Sequence, residues 1–332
     1  MSLPAADPAG TDTLAAEAPA PFGVFFGDPT ELFDPEFTGI PTVNRVDPAD
    51  ASVSVFDLGI IRGDGIFEAT AVHDDVPLAW CLHLERLRLS AQMVELPEPN
   101  VEAFDAFTHA LFREMGGVAQ AQVKVLVTRG ADANLSAAPR HTLPGGEPLP
   151  TVIAIVDCGW IPRPPEIEIA TLEREVFKDS AERAPWLLMG AKTLSYATNM
   201  AAKREFERRG AQNAVFLTRD GYVMEGPQST VVLREGDRVV TPDPRIGILF
   251  GTTQRELFAW ANGAKGYEVA YEEITADRLK TADAVWIMGG GGVQSVTAID
   301  GEPVKHDLQT VLEINEYLQT QRAAVDAWTA AH

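Results

Sequence analysis

The chain is poor in several features that would point to particular functions. Its 332 residues contain two cysteines, Cys81 and Cys158, far apart in sequence. A disulfide framework or cysteine-rich zinc site is therefore not expected, and a reducing compartment is. The six histidines include no pair at H-x-x-x-H spacing, so no metal motif is visible. Basic residues number 27 against 48 acidic ones, a formal net charge of −21. That balance argues against nucleic-acid binding, which needs a basic face to displace counterions from phosphates. No apolar run approaches the ~20 residues of a membrane span. The N-terminus lacks the basic-then-apolar pattern of a signal peptide. A hydrophobic content of 45% is enough for a large core. The expectation is a soluble, acidic, cytoplasmic protein.

Residues 1–21 are Ala/Pro-rich and aperiodic, and read as a disordered extension. Residues 22–160 read as a small α/β domain. In it SVSVFD alternates like a strand, and IFEATAVHDDVPLAW reads as a hairpin. HLERLRLSAQMVEL and VEAFDAFTHALFREMGG read as helices, and AQVKVLVTRG and TVIAIVDCGW as strands. Between those last strands lies a long polar loop, residues 131–150, of the kind that borders binding sites. The prolines of residues 161–165 mark a linker, since they suit neither helix nor central strand. Residues 166–332 carry seven strand patterns: EIEIATL, NAVFLT, YVMEG, STVVLRE, RVVTP, EVAYEEI and AVWIM. Two helices accompany them, SYATNMAAKREFERR stopped at Gly210 and TQRELFAWANG stopped at Gly263.

Five features stand out chemically. Lys192 lies in the nearly uncharged stretch PWLLMGAKTLSYATNM. Either its stem packs on apolar residues while the head reaches water, or burial lowers its pKa and supplies the neutral amine of Schiff-base chemistry. Glu225 ends a strand among apolar and small residues, where a carboxylate needs a partner or forms an ordinary strand-end ion pair. Arg86 has leucines on both sides of its helix, which reads as apolar all round. Its guanidinium therefore needs an anion, either a protein carboxylate or a ligand phosphate. Gly251-Thr252-Thr253 opens a helix with Thr253 at the N-cap and Glu256 three later, a capping box and also a phosphate cradle. Gly289 to Gly292 follow a strand and offer backbone N–H groups at close approach, but fit neither the dinucleotide nor the P-loop pattern. An amine, a carboxylate, a buried cation and two phosphate-friendly loops together match the needs of pyridoxal phosphate.

The order of these motifs resembles the class IV pyridoxal-phosphate aminotransferases, a group that includes branched-chain and D-amino acid aminotransferases and 4-amino-4-deoxychorismate lyase. The matching stretches are DLGIIRGDGIFEAT, HLERL, VLVTRG, the segment around Lys192, DGYVMEGPQSTVVL and TPDPRIGILFGTTQREL, in family order over roughly residues 50–300. The resemblance implies fold type IV, an α/β fold in which a small α/β domain joins a larger one with a β pseudo-barrel. It implies that Lys192 is the Schiff-base lysine and Arg86 a phosphate-binding arginine. Tyr196 would lie against the cofactor's phenolic oxygen, and Glu225 would pair with the pyridine nitrogen. Thr252 and Thr253 would hold the phosphate, with backbone help from the loop at Gly290. Arg62 stands where the family commonly carries an aromatic residue, and faces either a substrate carboxylate or a protein acid. The Arg-x-His motif of members acting on D-amino acids is not matched by Arg140 and His141. The implied cofactor is pyridoxal 5'-phosphate, the implied assembly a homodimer, and the implied reaction amino transfer between an amino acid or amine and an oxo acid. The lyase reaction is the alternative within the family. A non-catalytic α/β protein binding a phosphorylated metabolite is the alternative outside it.

Overall fold

The computed structural model describes residues 22–132, 134–135, 142–159, 161, 163–290 and 292–320. The extension over residues 1–21 lies outside them, as do Arg140, His141 and Gly291.

The first six strands are β1 (Phe22–Gly27), β2 (Val43–Val46), β3 (Gly65–His73), β4 (Val76–Pro77), β5 (Gln120–Thr128) and β6 (Thr151–Asp157). They form one sheet in the order β2-β1-β6-β5-β3-β4, antiparallel throughout. Two short helices, α1 (Pro29–Leu32) and α2 (Leu58–Ile61), precede α3 (Trp80–Met93) and α4 (Val101–Glu114). The expected hairpin forms as β3–β4. Its turn residues Asp74 and Asp75 have φ of 49° and 61°, the left-handed pair that suits a two-residue hairpin. Helix α4 is capped by Asn100, whose side chain accepts from Ala103 N at 3.1 Å. Leu87, Phe104, Phe107 and Leu111 bury fully against Val123, Val125 and Val127 of the sheet. Each such side chain contributes roughly 1.5–3 kcal/mol.

The remaining strands are β7 (Glu166–Arg174), β8 (Asn213–Thr218), β9 (Thr230–Glu235), β10 (Arg238–Pro242), β11 (Glu268–Glu272), β12 (Ala284–Gly289), β13 (Gly292–Ile299) and β14 (Glu302–Pro303). They make a mixed sheet in the order β11-β10-β9-β12-β13-β7-β8, with β14 beside β13. Val215 of β8 and Val240 of β10, distant in that order, share one core cluster. The segment after β8 bridges the two ends: Val223 is paired with Leu217, and its N–H donates to Ile274 O at 2.7 Å. The sheet thus curls into the expected pseudo-barrel. Around it lie α5 (Ser180–Arg183), α6 (Ala197–Arg208), α7 (Thr252–Lys265), α8 (Ala276–Thr281) and α9 (Leu308–Thr320).

Several expectations are corrected. SVSVFD is not a strand; Asp57 instead caps α2, accepting from Gly59 N at 2.7 Å and from the hydroxyls of Thr128 and Thr151. Helix α7 runs through Gly263 and stops at Gly266, whose φ of 69° suits the left-handed cap. Its N-cap is Gly251, with no side-chain cap bond, so the capping box centred on Thr253 does not form. Helix α3 is not apolar all round in its setting, because Leu89 and Met93 are exposed. YVMEG is a paired segment rather than a named strand, and β1, β2, β13 and α9 carry no expectation from the sequence.

Candidate functional site

A cavity of about 340 Å³ opens between the two sheets, and Arg86, Lys192, Tyr196, Glu225, Thr252, Thr253 and Gly290 all line it. Arg62 does not; it ends α2, where Nη1 donates to Ile61 O at 3.4 Å. Of the glycine run, Gly289 and Gly290 reach the cavity, and Gly289 pairs with Gly292 across the β12–β13 turn.

Lys192 is held by backbone. Its N–H donates to Ser90 Oγ at 3.1 Å, and its carbonyl accepts from Phe67 N at 3.0 Å. Leu194 N donates to Gly65 O at 2.8 Å, so the lysine segment runs as a short extra edge against β3. This close approach depends on Gly65, where a Cβ would lie 2.5 Å from Val127 O and 2.7 Å from Leu194 Cδ1. Lys192 Nζ sits 4.3 Å from the centre of the Phe67 ring. Burial, reinforced by the Arg86 charge, pulls its pKa down to about 8. Lys192 keeps some accessible area and lines the cavity.

Glu225 follows the paired segment after the β8 turn, and its Oε2 accepts from Leu249 N at 3.1 Å. Burial outweighs that bond and the nearby Lys192 charge, and pushes its pKa up to about 7. Tyr196 precedes α6 and packs edge-on against Phe67, ring centres 5.3 Å apart. Burial, with the Glu225 charge, pushes its phenol up to about 12.

Arg86 projects from α3 toward Glu68 of β3. Nε donates to Glu68 Oε1 and Nη2 to Oε2, both at 2.7 Å, while Nη1 donates to Phe250 O at 3.2 Å. A guanidinium has five N–H donors, so one remains on each terminal nitrogen. His83, one helical turn earlier, places Nδ1 2.6 Å from Glu68 Oε2 and Nε2 3.1 Å from Thr252 Oγ1. Burial would raise the pKa of Glu68, but Arg86, with help from His83, holds it well below the usual carboxylate range. Burial lowers the pKa of His83 against the pull of Glu68. Because Glu68 only accepts, a neutral His83 donates from Nδ1, and Nε2 then accepts from the Thr252 hydroxyl. The Thr253 hydroxyl and the first N–H groups of α7 remain for a ligand.

Glu68 and His83 carry no assigned role in the sequence reading. Glu68 had a signal, since it alternates inward on GIFEATAVH where an acid needs a cation. Asn199, which donates from Nδ2 to Pro227 O, and Thr230 also line the cavity. Two glycines keep its walls thin. A Cβ on Gly251 would lie 2.6 Å from Thr230 Oγ1, and one on Gly289 2.8 Å from Gln228 O.

Residues 65–299 match the family described as amino-transferase class IV. The chain is 35% identical over 241 residues to the bifunctional aminodeoxychorismate lyase / D-amino acid transaminase of Mycobacterium tuberculosis, covering 70% of this chain and 80% of that one. It is 30% identical to the D-alanine aminotransferase of Staphylococcus epidermidis, over 78% of this chain and 88% of the other. Among solved structures, a fold IV transaminase from Curtobacterium pusillum aligns with a TM-score of 0.78 at 34% identity, covering 90% of this chain and 99% of that one. The PLP-bound form of a hypothetical aminotransferase from Mycobacterium tuberculosis aligns at 0.74 with 28% identity, over 91% and 99% of the two chains. A buried amine, an enclosed carboxylate and a hydroxyl-bearing helix start thus sit in a fold that these proteins share, and the chain belongs to the class IV aminotransferase family.

Proposed function

We propose that this protein is a pyridoxal-phosphate aminotransferase that moves an amino group between an amino acid or amine and an oxo acid. Members of its family depend on that cofactor, and the residues present suit it. The supporting observation is one cavity bordered by an amine of lowered pKa, Lys192, a carboxylate of raised pKa, Glu225, and a donor-rich helix start beside Arg86. Thr253, the first N–H groups of α7, the two remaining N–H groups of Arg86 and the backbone at Gly290 would hold the phosphate. The α7 terminus adds the favourable end of its dipole.

The bound cofactor supplies an aldehyde for amine exchange and an electron-accepting ring. Lys192, uncharged for a substantial fraction of the time near pH 8, provides the amine and moves a proton at the substrate carbon. Glu225 would hold the ring nitrogen and favour its protonated form. A cation brought there draws the carboxyl pKa back down, so each charge supports the other. Tyr196 keeps its proton at neutral pH and can donate to an oxyanion.

Lys192→Ala is the test. Turnover is expected to fall about 10³-fold or more, with the fold kept and borohydride no longer fixing an adduct at this position. Turnover near wild type without added amine would overturn the role. The lyase reading is supported by the printed name of the relative at 35% identity. Formation of 4-aminobenzoate from aminodeoxychorismate, without amino transfer to pyruvate or 2-oxoglutarate, would favour it.

The same reading includes a division into residues 22–160 and 166–332 joined at 161–165, supported by the separation of the described strands into a six-stranded and an eight-stranded sheet. It includes a homodimer, supported by the exposure of Val55, Ile60 and Trp186, at 73%, 64% and 75%. It includes a cytoplasmic location, supported by Cys81 and Cys158 forming no disulfide. No described helix is long and apolar enough to cross a membrane.

A further inference from the structure

A second cavity, about 310 Å³, lies behind one wall of the first and shares Pro227 and Gln228 with it. Its volume is at the lower end for small-molecule sites, which run upward from roughly 300 Å³. Strands β7, β8 and β13, helix α6 and the segment that joins the sheets all contribute to it. Ile167 and Phe206 give it a buried apolar floor, and Asn213 and Gln294 add buried amides. Gln294 donates from Nε2 to Pro164 O at 2.7 Å, which fixes the joining segment at the cavity edge. In a chain of net charge −21, the lining holds two cations, Arg163 and Lys203, and no acid. Arg163 forms no ion pair among the described residues. It is exposed by area, yet protein surrounds its guanidinium closely enough that burial lowers its pKa. Lys203 pairs with Glu207 one turn along α6, a half-exposed pair of little worth that leaves ammonium protons for another acceptor.

We propose that this cavity is an effector site for a small aromatic carboxylate, and that its occupant tightens the hold on the cofactor in the neighbouring cavity. Binding stands on the lining alone, whereas the coupling rests on the aminotransferase reading. A flat ring suits the floor of Phe206 and Ile167, and the amides can donate to or accept from ring substituents. The carboxylate suits the planar fork of Arg163 and the point charge of Lys203. Acid-free walls in so acidic a protein also attract an anion that the rest of the surface repels. The shared wall is a turn pinned from both sides. Asn213 Nδ2 donates to Ser229 Oγ at 3.2 Å, Asn199 Nδ2 donates to Pro227 O, and Gly226 N donates to Ser229 O at 2.7 Å. A Cβ on Gly226 would lie 2.7 Å from Ala214 O, so the turn rests directly on β8. Glu225 immediately precedes this turn, and Ser229 and Thr230 line the first cavity at its end. A ligand held against Pro227 and Gln228 orders that wall in advance, so cofactor binding then loses less conformational freedom.

Calorimetric titration of the holoenzyme with benzoate and with benzamide, which differ in charge but little in shape, tests the site. The wild-type protein is expected to prefer benzoate by at least about tenfold. K203M and R163M are each expected to lose most of that preference, with partial recovery in K203R and R163K. Lys203 borders this cavity and not the one at Lys192, so benzoate seated beside Lys192 would not respond to K203M. Saturating benzoate is expected to lower the dissociation constant of pyridoxal phosphate about fivefold or more, and the cofactor to tighten benzoate by the same factor. A wild-type protein indifferent to the charge of the probe would overturn the site, as would an unchanged preference in both methionine variants. A benzoate preference that leaves cofactor affinity unmoved, or weakens it, would overturn the effector role. If the protein takes up no pyridoxal phosphate while its benzoate preference still depends on Lys203 and Arg163, the aminotransferase reading fails and the anion site stands.

Discussion

Glu225 is an enclosed carboxylate whose proposed role costs stability, and the sign of that cost follows from its titration. In the unfolded chain its carboxyl ionises near 4.5, whereas in the folded protein burial delays ionisation to about 7. Below pH 4.5 both states are protonated and the group is neutral to stability. Between 4.5 and 7 the folded state holds the extra proton, so stability falls as pH rises, and above 7 the penalty is complete. Glu225→Gln keeps the shape and an oxygen for Leu249 N–H but removes the charge. The variant without cofactor is expected to unfold at higher urea than wild type at pH 8, by about 1–3 kcal/mol, and at equal urea at pH 4.5. A gain that does not depend on pH would contradict the account. Its activity is expected to drop even as stability rises, since the ring nitrogen loses its anion. At this scale the sequence is informative: an acid or amine among apolar residues is conspicuous, and Lys192, Glu225 and Arg86 were all singled out on that ground. Arg62 draws notice only through the resemblance, standing where the family commonly carries an aromatic residue, and its surroundings depend on contacts that its neighbours in sequence do not reveal.

Three elements meet at Glu68. Strand β3 carries the carboxylate, α3 brings Arg86 and His83 to it one turn apart, and His83 passes the link to the first turn of α7 through Thr252. Glu68 is completely buried, and the Arg86 side chain retains 11% exposure. Truncating Glu68 leaves a guanidinium enclosed without its main counter-ion, and breaking such a pair costs about 3–5 kcal/mol. Glu68→Ala is therefore expected to lower unfolding stability by that amount in urea titration, and to loosen phosphate binding because Arg86 and His83 lose the carboxylate that orients them. A loss below about 1 kcal/mol would mean that water replaces the carboxylate easily. The start of α7 shows why elements were only partly legible. Gly-Thr-Thr-Gln-Arg-Glu satisfies a local capping rule, but Thr252 is drawn to His83, 169 residues away in sequence. Gly251 takes the cap position without offering a side chain. SVSVFD has strand alternation, yet Asp57 is committed to α2, Thr128 and Thr151. In both cases a distant partner outbids local propensity. Strand β13, GVQSVTAI, is buried on both faces beside β12 and β7 and so lacks the alternation by which half-buried strands are read.

At the scale of the whole molecule, the two sheets share no strand pair with each other in their stated orders, yet both contribute to one cavity. The lysine segment belongs by sequence to the second sheet's half and is hydrogen-bonded to β3 of the first, through Phe67, Gly65 and Leu194. A ligand seated there touches Arg86 of α3 on one side and Glu225 and α7 on the other, so its binding energy joins the two halves. A ligand at 100 times its dissociation constant stabilises the bound state by about 2.7 kcal/mol. For a chain of this size that raises the melting temperature by about 4 °C. Loading with pyridoxal phosphate is expected to raise a single calorimetric transition by that amount, and its removal to return the transition to the lower value. The increase should be smaller in Lys192→Ala, where the cofactor keeps only the contacts to its phosphate and ring. If the halves were energetically separate, the scan would resolve two transitions, and only the one containing α7 would move. One transition moving as a unit is what a cavity built from both sheets requires, because melting either half alone would dismantle the walls that hold the ligand.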